Sequence, residues 1–294
     1  MAGGEGANTL AYSYDGKRWT GLGNSIFSGG CNKVISNGLT WIALGWGTNT
    51  IAKSTDGMNW VGLGSSVFDA SGISVDWNGS QWLAVGTGSS HSLAVSSDST
   101  SWTGLGTSLF TEPRCVKWAL GKWFVGADAS GVSTIATSQD AASWTYVNTN
   151  LTTTCRGISW NGREVVAVGN GTNQIVTSVD GQTWNSVITS NITQCNGVEW
   201  NGKEWIIVTS GSSVLSVAFD SSTAGSINLF NVASVSSLLT SSYCVGANNG
   251  VGATVFNNRI YLNGGNKLVV YGPEVYDTSL MSDTSISMNM NLPV

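Results

Sequence analysis

Charged residues are scarce in this 294-residue chain: 10% are Asp, Glu, Lys or Arg, against roughly 25% in an average soluble protein. Seventeen acidic and 12 basic side chains leave a formal net charge of −5. The clustered Lys and Arg that non-specific nucleic-acid binding requires are therefore missing. A single histidine, His91, gives a Ser–His–Asp triad or a His-rich metal site little to draw on. No apolar run reaches the roughly 18 residues of a membrane-spanning helix, so no membrane span is expected. The first ten residues, MAGGEGANTL, lack the charged and apolar regions of a signal peptide. The cysteines number five, which is odd, and without a secretion signal they are expected to be reduced thiols. A helical period of 3.6 residues is also absent over any useful length.

What the chain has instead is repetition. A turn of the form Ser-x-Asp-x-x-x-Trp recurs at Asp15, Asp56, Asp98, Asp140 and Asp180, with a copy lacking its Trp at Asp220, at intervals of 40 to 42 residues. Between these turns lies a second element, seen at Val34–Gly45, Val75–Gly86, Val116–Gly126, Ile158–Gly169, Val198–Val208 and, more divergent, Thr254–Gly264. Its β-branched and aromatic residues flank Asn-Gly in four copies (Asn37, Asn78, Asn161 and Asn201), a strong hairpin signal that predicts a type I′ turn. Each repeat thus reads as two hairpins, strands a–b and strands c–d, with the Asp turn joining c to d. Four antiparallel strands in ~40–45 residues suit one blade of a β-propeller.

The expected fold is an all-β, six-bladed propeller of four-stranded antiparallel blades. The first Asp turn precedes the first a–b hairpin and the last a–b hairpin lies near the C-terminus. Pairing the N- and C-terminal strands in one blade would close the ring and leave no exposed edge. Seven blades is the alternative, because Lys267–Gly272 reads as a further strand c and Ser221–Gly250 is long enough for a degenerate blade. The domain is taken as residues 1–277, with a polar tail over 278–294. Thirteen of the 14 tryptophans keep the repeat register and are expected to fill the space between blades; Trp46 does not.

The turns resemble Asp-box (BNR) motifs, which in that family cap the c–d hairpins of β-propellers such as sialidases and photosystem assembly factors. The copies at Asp15, Asp56 and Asp180 keep Asp-Gly, whereas Asp98 is followed by Ser and Asp140 by Ala. The Trp-Asn-Gly-x-x-Trp hairpins are similar to those of uncharacterised Asp-box proteins of large DNA viruses and phages. The resemblance implies a fold and a structural role on the outer rim for Asp15, Asp56, Asp98, Asp140, Asp180 and Asp220. Sialidase chemistry would require three arginines on a carboxylate, but Arg18, Arg163 and Arg259 of the five arginines lie in turns, and the N-terminal arginine motif is missing. A reducing intracellular compartment or a virion is the expected location.

The residues that break the repeat gather in the d–a and b–c loops, on one mouth of the channel. Arg114, Arg156, Trp46, His91, Glu112 and Asp128 are therefore the candidate ligand-binding set. Cys31, Cys115, Cys155 and Cys195 are expected just before strand a, near the same mouth, with Arg114 and Arg156 favouring thiolate at Cys115 and Cys155. No catalytic residue, cofactor or metal site is expected, and the protein is expected to be a monomer. The function this suggests is a non-catalytic interaction module for a protein or glycan ligand. The alternatives are a structural component of a viral or other particle and a degenerate sialidase-like glycoside hydrolase. Far-UV circular dichroism is expected to show almost no helix; substantial helix would remove the propeller reading.

Overall fold

The computed structural model describes residues 1–129, 133–149, 151, 153–187, 192–202 and 205–210, and five later strands in backbone only. All regular structure among the described residues is β. A three-stranded sheet opens the chain: β1 (Ala2–Gly3), β2 (Leu10–Tyr12) and β3 (Thr20–Gly21). Two four-stranded sheets follow, first β4 (Gly30–Ser36), β5 (Trp41–Trp46), β6 (Ile51–Ser54) and β7 (Val61–Gly62), then β8 (Ser71–Trp77), β9 (Trp82–Thr87), β10 (Leu93–Ser96) and β11 (Thr103–Gly104). The next is β12 (Pro113–Ala119), β13 (Lys122–Ala127), β14 (Ile135–Ser138) and β15 (Thr145–Val147). It is succeeded by β16 (Thr154–Trp160), β17 (Val165–Asn170), β18 (Ile175–Ser178) and β19 (Asn185–Ser186). The last four-stranded sheet is β20 (Gln194–Trp200), β21 (Trp205–Ser210), β22 (Ser216–Phe219) and β23 (Phe230–Asn231). A three-stranded sheet ends the series: β24 (Gly252–Phe256), β25 (Arg259–Gly264) and β26 (Lys267–Tyr271). Every pairing is antiparallel and follows chain order.

Among the described residues the strands form seven sheets, the count of the seven-bladed alternative, and β1 and β26 each pair within their own sheets. Lys267–Tyr271 pairs with β25, as the further strand c of that alternative would. One expectation is corrected, that of the a–b turns. Asn37, Asn78 and Asn161 do not adopt positive φ, although Gly38, Gly79 and Gly162 do. These turns are four-residue loops in which the Asn side chain accepts two backbone N–H groups; Asn78 Oδ1, for example, accepts from Ser80 at 2.9 Å and Gln81 at 2.7 Å. Among the described a–b turns only Leu120-Gly121, which lacks the Asn, has positive φ at both positions, 52° and 71°.

Period-2 alternation explains how the sheets stack. On β9, Trp82 and Ala84 face Ile42 and Leu44 of the preceding sheet and Phe68 of the link between the two sheets. Leu83 and Val85 face Val116, Trp123 and Val125 of the following one. Each strand b is thus buried on both faces, and the hydrophobic clusters lie between sheets rather than within them. Trp82, Trp123 and Trp205 are fully buried there. Phe27, Phe68 and Phe110 are also fully buried and end the near-identical segments GLGNSIF, GLGSSVF and GLGTSLF. These seal the space between one sheet's outer strand and the next sheet's first strand.

The Asp turns share one bond pattern. Asp56 Oδ1 accepts from the backbone N–H of Met58 at 2.8 Å and Asn59 at 2.7 Å, and from the Ser54 hydroxyl at 3.0 Å. Ser54 Oγ accepts in turn from Gly57 N–H at 2.9 Å. The same Oδ1 bonds recur at Asp15, Asp98, Asp140 and Asp180. Gly16, Gly57 and Gly181 follow their Asp with φ of 70°, 76° and 71°, and Ser99 and Ala141 hold the same left-handed backbone at 63° and 62° without glycine's freedom. The turn geometry therefore survives the loss of Asp-Gly. The copy at Asp220, Cys244, the tail over 278–294 and all of Ser221–Gly250 except β23 lie outside the described residues.

Backbone N–H donors hold the Asp15, Asp98 and Asp180 carboxyls at about 2, below their ordinary 3.8. A depressed folded-state value means that the stabilisation is complete above the unfolded value and is lost as pH falls through the folded one. Unfolding free energy is therefore expected to decline between about pH 4 and pH 2. The carboxylates are solvent-exposed, so each contributes modestly. An Asp98→Ala variant is expected to melt below wild type at neutral pH and to show a shallower acid decline; identical profiles for the two proteins would refute this.

Candidate functional site

The first strands β4, β8, β12, β16 and β20 run next to one another and line a cavity of about 620 Å³. One irregularity shapes its wall. In all five strands the pairing with strand b skips one residue, leaving Asn32, Ile73, Arg114, Arg156 and Asn196 as β-bulges. A bulge inserts an unpaired residue and re-aims its side chain, and all five bulged residues line the cavity. The two arginines thus occupy a repeat position that the ladder itself leaves free.

Their surroundings differ. Arg114 forms a two-pronged bond to Asp128, Nε to Oδ1 at 3.1 Å and Nη2 to Oδ2 at 2.5 Å, with Glu112 Oε2 at 3.9 Å. The bond to Asp128 raises the Arg114 pKa. Burial raises the Asp128 carboxyl, but Arg114 outweighs burial and holds it below its ordinary value. Among the described residues Arg156 has no such partner: its Nε is buried without an acceptor. Burial, and then the neighbouring Arg114 charge, push the Arg156 pKa down. One guanidinium is neutralised by the chain itself and the other is left facing the cavity.

A second polar set lies three residues further along β8, β12, β16 and β20, just before each strand's Trp, whereas β4 carries Ile35 there. Burial opposes the Lys117 charge, but Asp76 at 3.3 Å and the more distant Glu199 outweigh it and raise the Lys117 pKa. Asp76 Oδ2 also accepts the Trp118 N–H at 2.8 Å, and Glu199 Oε2 accepts the Ser159 hydroxyl at 2.8 Å. This set was missed in the sequence. Its signal was present, since Asp76, Lys117, Ser159 and Glu199 all immediately precede an in-register Trp.

Of the six expected residues, Trp46, Arg114 and Arg156 line the cavity. Glu112 and Asp128 join them through Arg114. The Trp46 indole covers Gly29 and Gly30, where an added Cβ would lie 2.1 and 2.3 Å from the ring. His91 is elsewhere. Its Nδ1 accepts the Gly106 N–H at 2.9 Å, repeating what Asn8 does for Gly23 and Asn49 for Gly64 at 2.8 and 2.9 Å. His91 therefore occupies a structural loop position that Asn fills in the two preceding repeats.

The cysteines lie within the first strands, not before them, and all four described thiols are free and buried. Burial pushes Cys31 and Cys195 up to about 12. Burial and the adjacent Cys115 push Cys155 up as well, so the expected thiolate at Cys155 is corrected: desolvation outweighs the nearby arginines. No group of three or more metal-ligating side chains occurs among the described residues. A bulky maleimide is expected to leave Cys31, Cys155 and Cys195 unmodified in the native protein and to label them after unfolding; native labelling of these three would contradict their burial.

No protein-family model matches the chain, and no curated protein is similar to it in sequence. Solved structures are similar in fold. Virginiamycin B lyase from Staphylococcus aureus superposes with a TM-score of 0.64 at 12% identity, covering 88% of this chain and 85% of that one. YCF48 bound to D1 peptide gives 0.52 at 17% identity, covering 83% and 79%. The GH74 enzyme of Niastella koreensis gives 0.56 at 18%, covering 85% of this chain, which spans only 38% of that enzyme's length. At these identities the likeness is one of architecture: the chain folds as an all-β propeller of antiparallel sheets.

Proposed function

We propose that this propeller is a non-catalytic binding module that takes an acidic segment of a protein partner into its axial cavity. The observation that carries the reading is Arg156, a guanidinium whose buried Nε has no acceptor and which lines the cavity. A buried donor left unpaired costs about 1–3 kcal/mol, which a carboxylate accepting from it would relieve. Arg114, held by Asp128, adds positive potential next to it. The neighbour YCF48, bound to D1 peptide, lends the fold-level analogy of a peptide-binding propeller. Asp76 is engaged by Lys117 and the Trp118 amide, and Glu199 by Ser159, which supports a structural rather than a catalytic role for these two carboxylates.

Calorimetric titration with a glutamate-rich peptide tests the proposal. Binding is expected to weaken as salt is raised and to fall about tenfold or more in Arg156→Ala, with the melting temperature retained. Unchanged affinity in that variant would refute the site. Turnover of a fluorogenic sialoside would refute the non-catalytic reading.

A further inference from the structure

Cys115 is one residue out of step with its counterparts. Cys31, Cys155 and Cys195 pair with strand b just before the bulged residue, whereas Cys115 pairs just after it. The displacement carries its sulfur toward the neighbouring first strand, β16. Cys115 Sγ and Cys155 Sγ each lie 2.6 Å from the point that a Cβ on Gly126 would occupy. The two sulfurs are therefore separated by no more than twice that distance. The Cys115 thiol also donates to the Cys155 carbonyl at 3.8 Å. The corresponding Gly45, Gly86 and Gly169 face a backbone carbonyl oxygen instead, at 2.1, 2.5 and 1.8 Å. Among the described residues, a sulfur pair occurs at this repeat position in one sheet only. Gly126 is what leaves room for it.

Access is unequal. Cys115 lines the axial cavity, while Cys155 lies behind it with no exposed surface. Arg114 and Arg156 are the chain neighbours of the two cysteines, and both line the same cavity.

We propose that Cys115 and Cys155 form an oxidation site, in which a small peroxide entering the cavity converts the pair into a disulfide joining β12 to β16. The site is independent of the peptide-binding reading. Cys115 loses its proton and its sulfur attacks one peroxide oxygen. The O–O bond breaks, a sulfenic acid forms on Cys115, and one water leaves once the second oxygen is protonated. The Cys155 sulfur then attacks Cys115 Sγ, the S–O bond breaks, and the hydroxyl departs with the Cys155 proton as a second water. The sulfur pair gives up two electrons in total and hydrogen peroxide is reduced to two waters.

The native protein is treated with hydrogen peroxide, quenched, unfolded and examined by intact mass, thiol counting and peptide mapping. The expected result is the loss of two hydrogen atoms, a fall of two in the free-thiol count, and one cross-link between the Cys115 and Cys155 peptides. In a Cys155→Ala variant the sulfenic acid on Cys115 is expected to persist and to be trapped by a cyclic diketone probe. In Cys115→Ser no cross-link should form and Cys155 should remain reduced. Circular dichroism confirms that each variant is folded; if Cys155→Ala is not, conversion of Cys115→Ser decides the question. An unchanged free-thiol count after prolonged treatment, a cross-link through Cys31, Cys195 or Cys244, or over-oxidation without cross-linking would overturn the proposal.

Discussion

A single four-stranded sheet of this protein presents two apolar faces and can bury neither alone. Everything else in the structure depends on that constraint. The strand-b residues alternate between the sheet before and the sheet after, as Trp82 and Leu83 do on β9. Sheets must therefore follow one another face to face, and the strand nearest the axis is determined by the same stacking. The tryptophans, the buried Phe27, Phe68 and Phe110, and the short outer strands all serve this arrangement. Low charge is its compositional counterpart: buried faces exclude charge, and the turns are solvated by Ser, Thr and Asn.

Against that regular background the bulge in β4, β8, β12, β16 and β20 is the device that allows variation. In these five sheets it leaves one residue unpaired with the ladder and directs it to the cavity wall. Asn32 uses the position to bond the next sheet, donating to Ser71 Oγ at 3.0 Å and Gly72 O at 2.8 Å. Arg114 uses it to hold Asp128. Among the described residues the buried Nε of Arg156 has no acceptor, and this difference between equivalent positions makes it the centre of the candidate site. The one-residue displacement of Cys115 is a second consequence of the same local freedom.

The elements differ in how legible they were. The period of the Asp turns and the Trp-bearing hairpins identified strands, order and architecture, because hydrophobic alternation and turn chemistry are local properties. The Asp98 and Asp140 turns could be read through their missing glycines, since the Asp, Ser and Trp that define the bonds were still present. The a–b turns were misread: Asn-Gly also suits a four-residue loop in which Asn bonds forward to two amides. His91 looked exceptional by residue type, but in space it substitutes for Asn8 and Asn49. The set of Asp76, Lys117, Ser159 and Glu199 passed unnoticed because its members share a position and not a chemistry.

By itself the sequence determined the repeat, the antiparallel strands, the apolar faces that must stack, and the placing of Arg114 and Arg156 beside the first strands. Tertiary structure alone decided which of those arginines is neutralised, because Asp128 reaches Arg114 through strand pairing across β12 and β13 rather than through any sequence motif. It also decided that two cysteines 40 residues apart share one pocket, and that burial outweighs the nearby cations in setting Cys155's acidity. Charge pairing and desolvation depend on distances between separate repeats, and periodicity in one dimension carries no information about them.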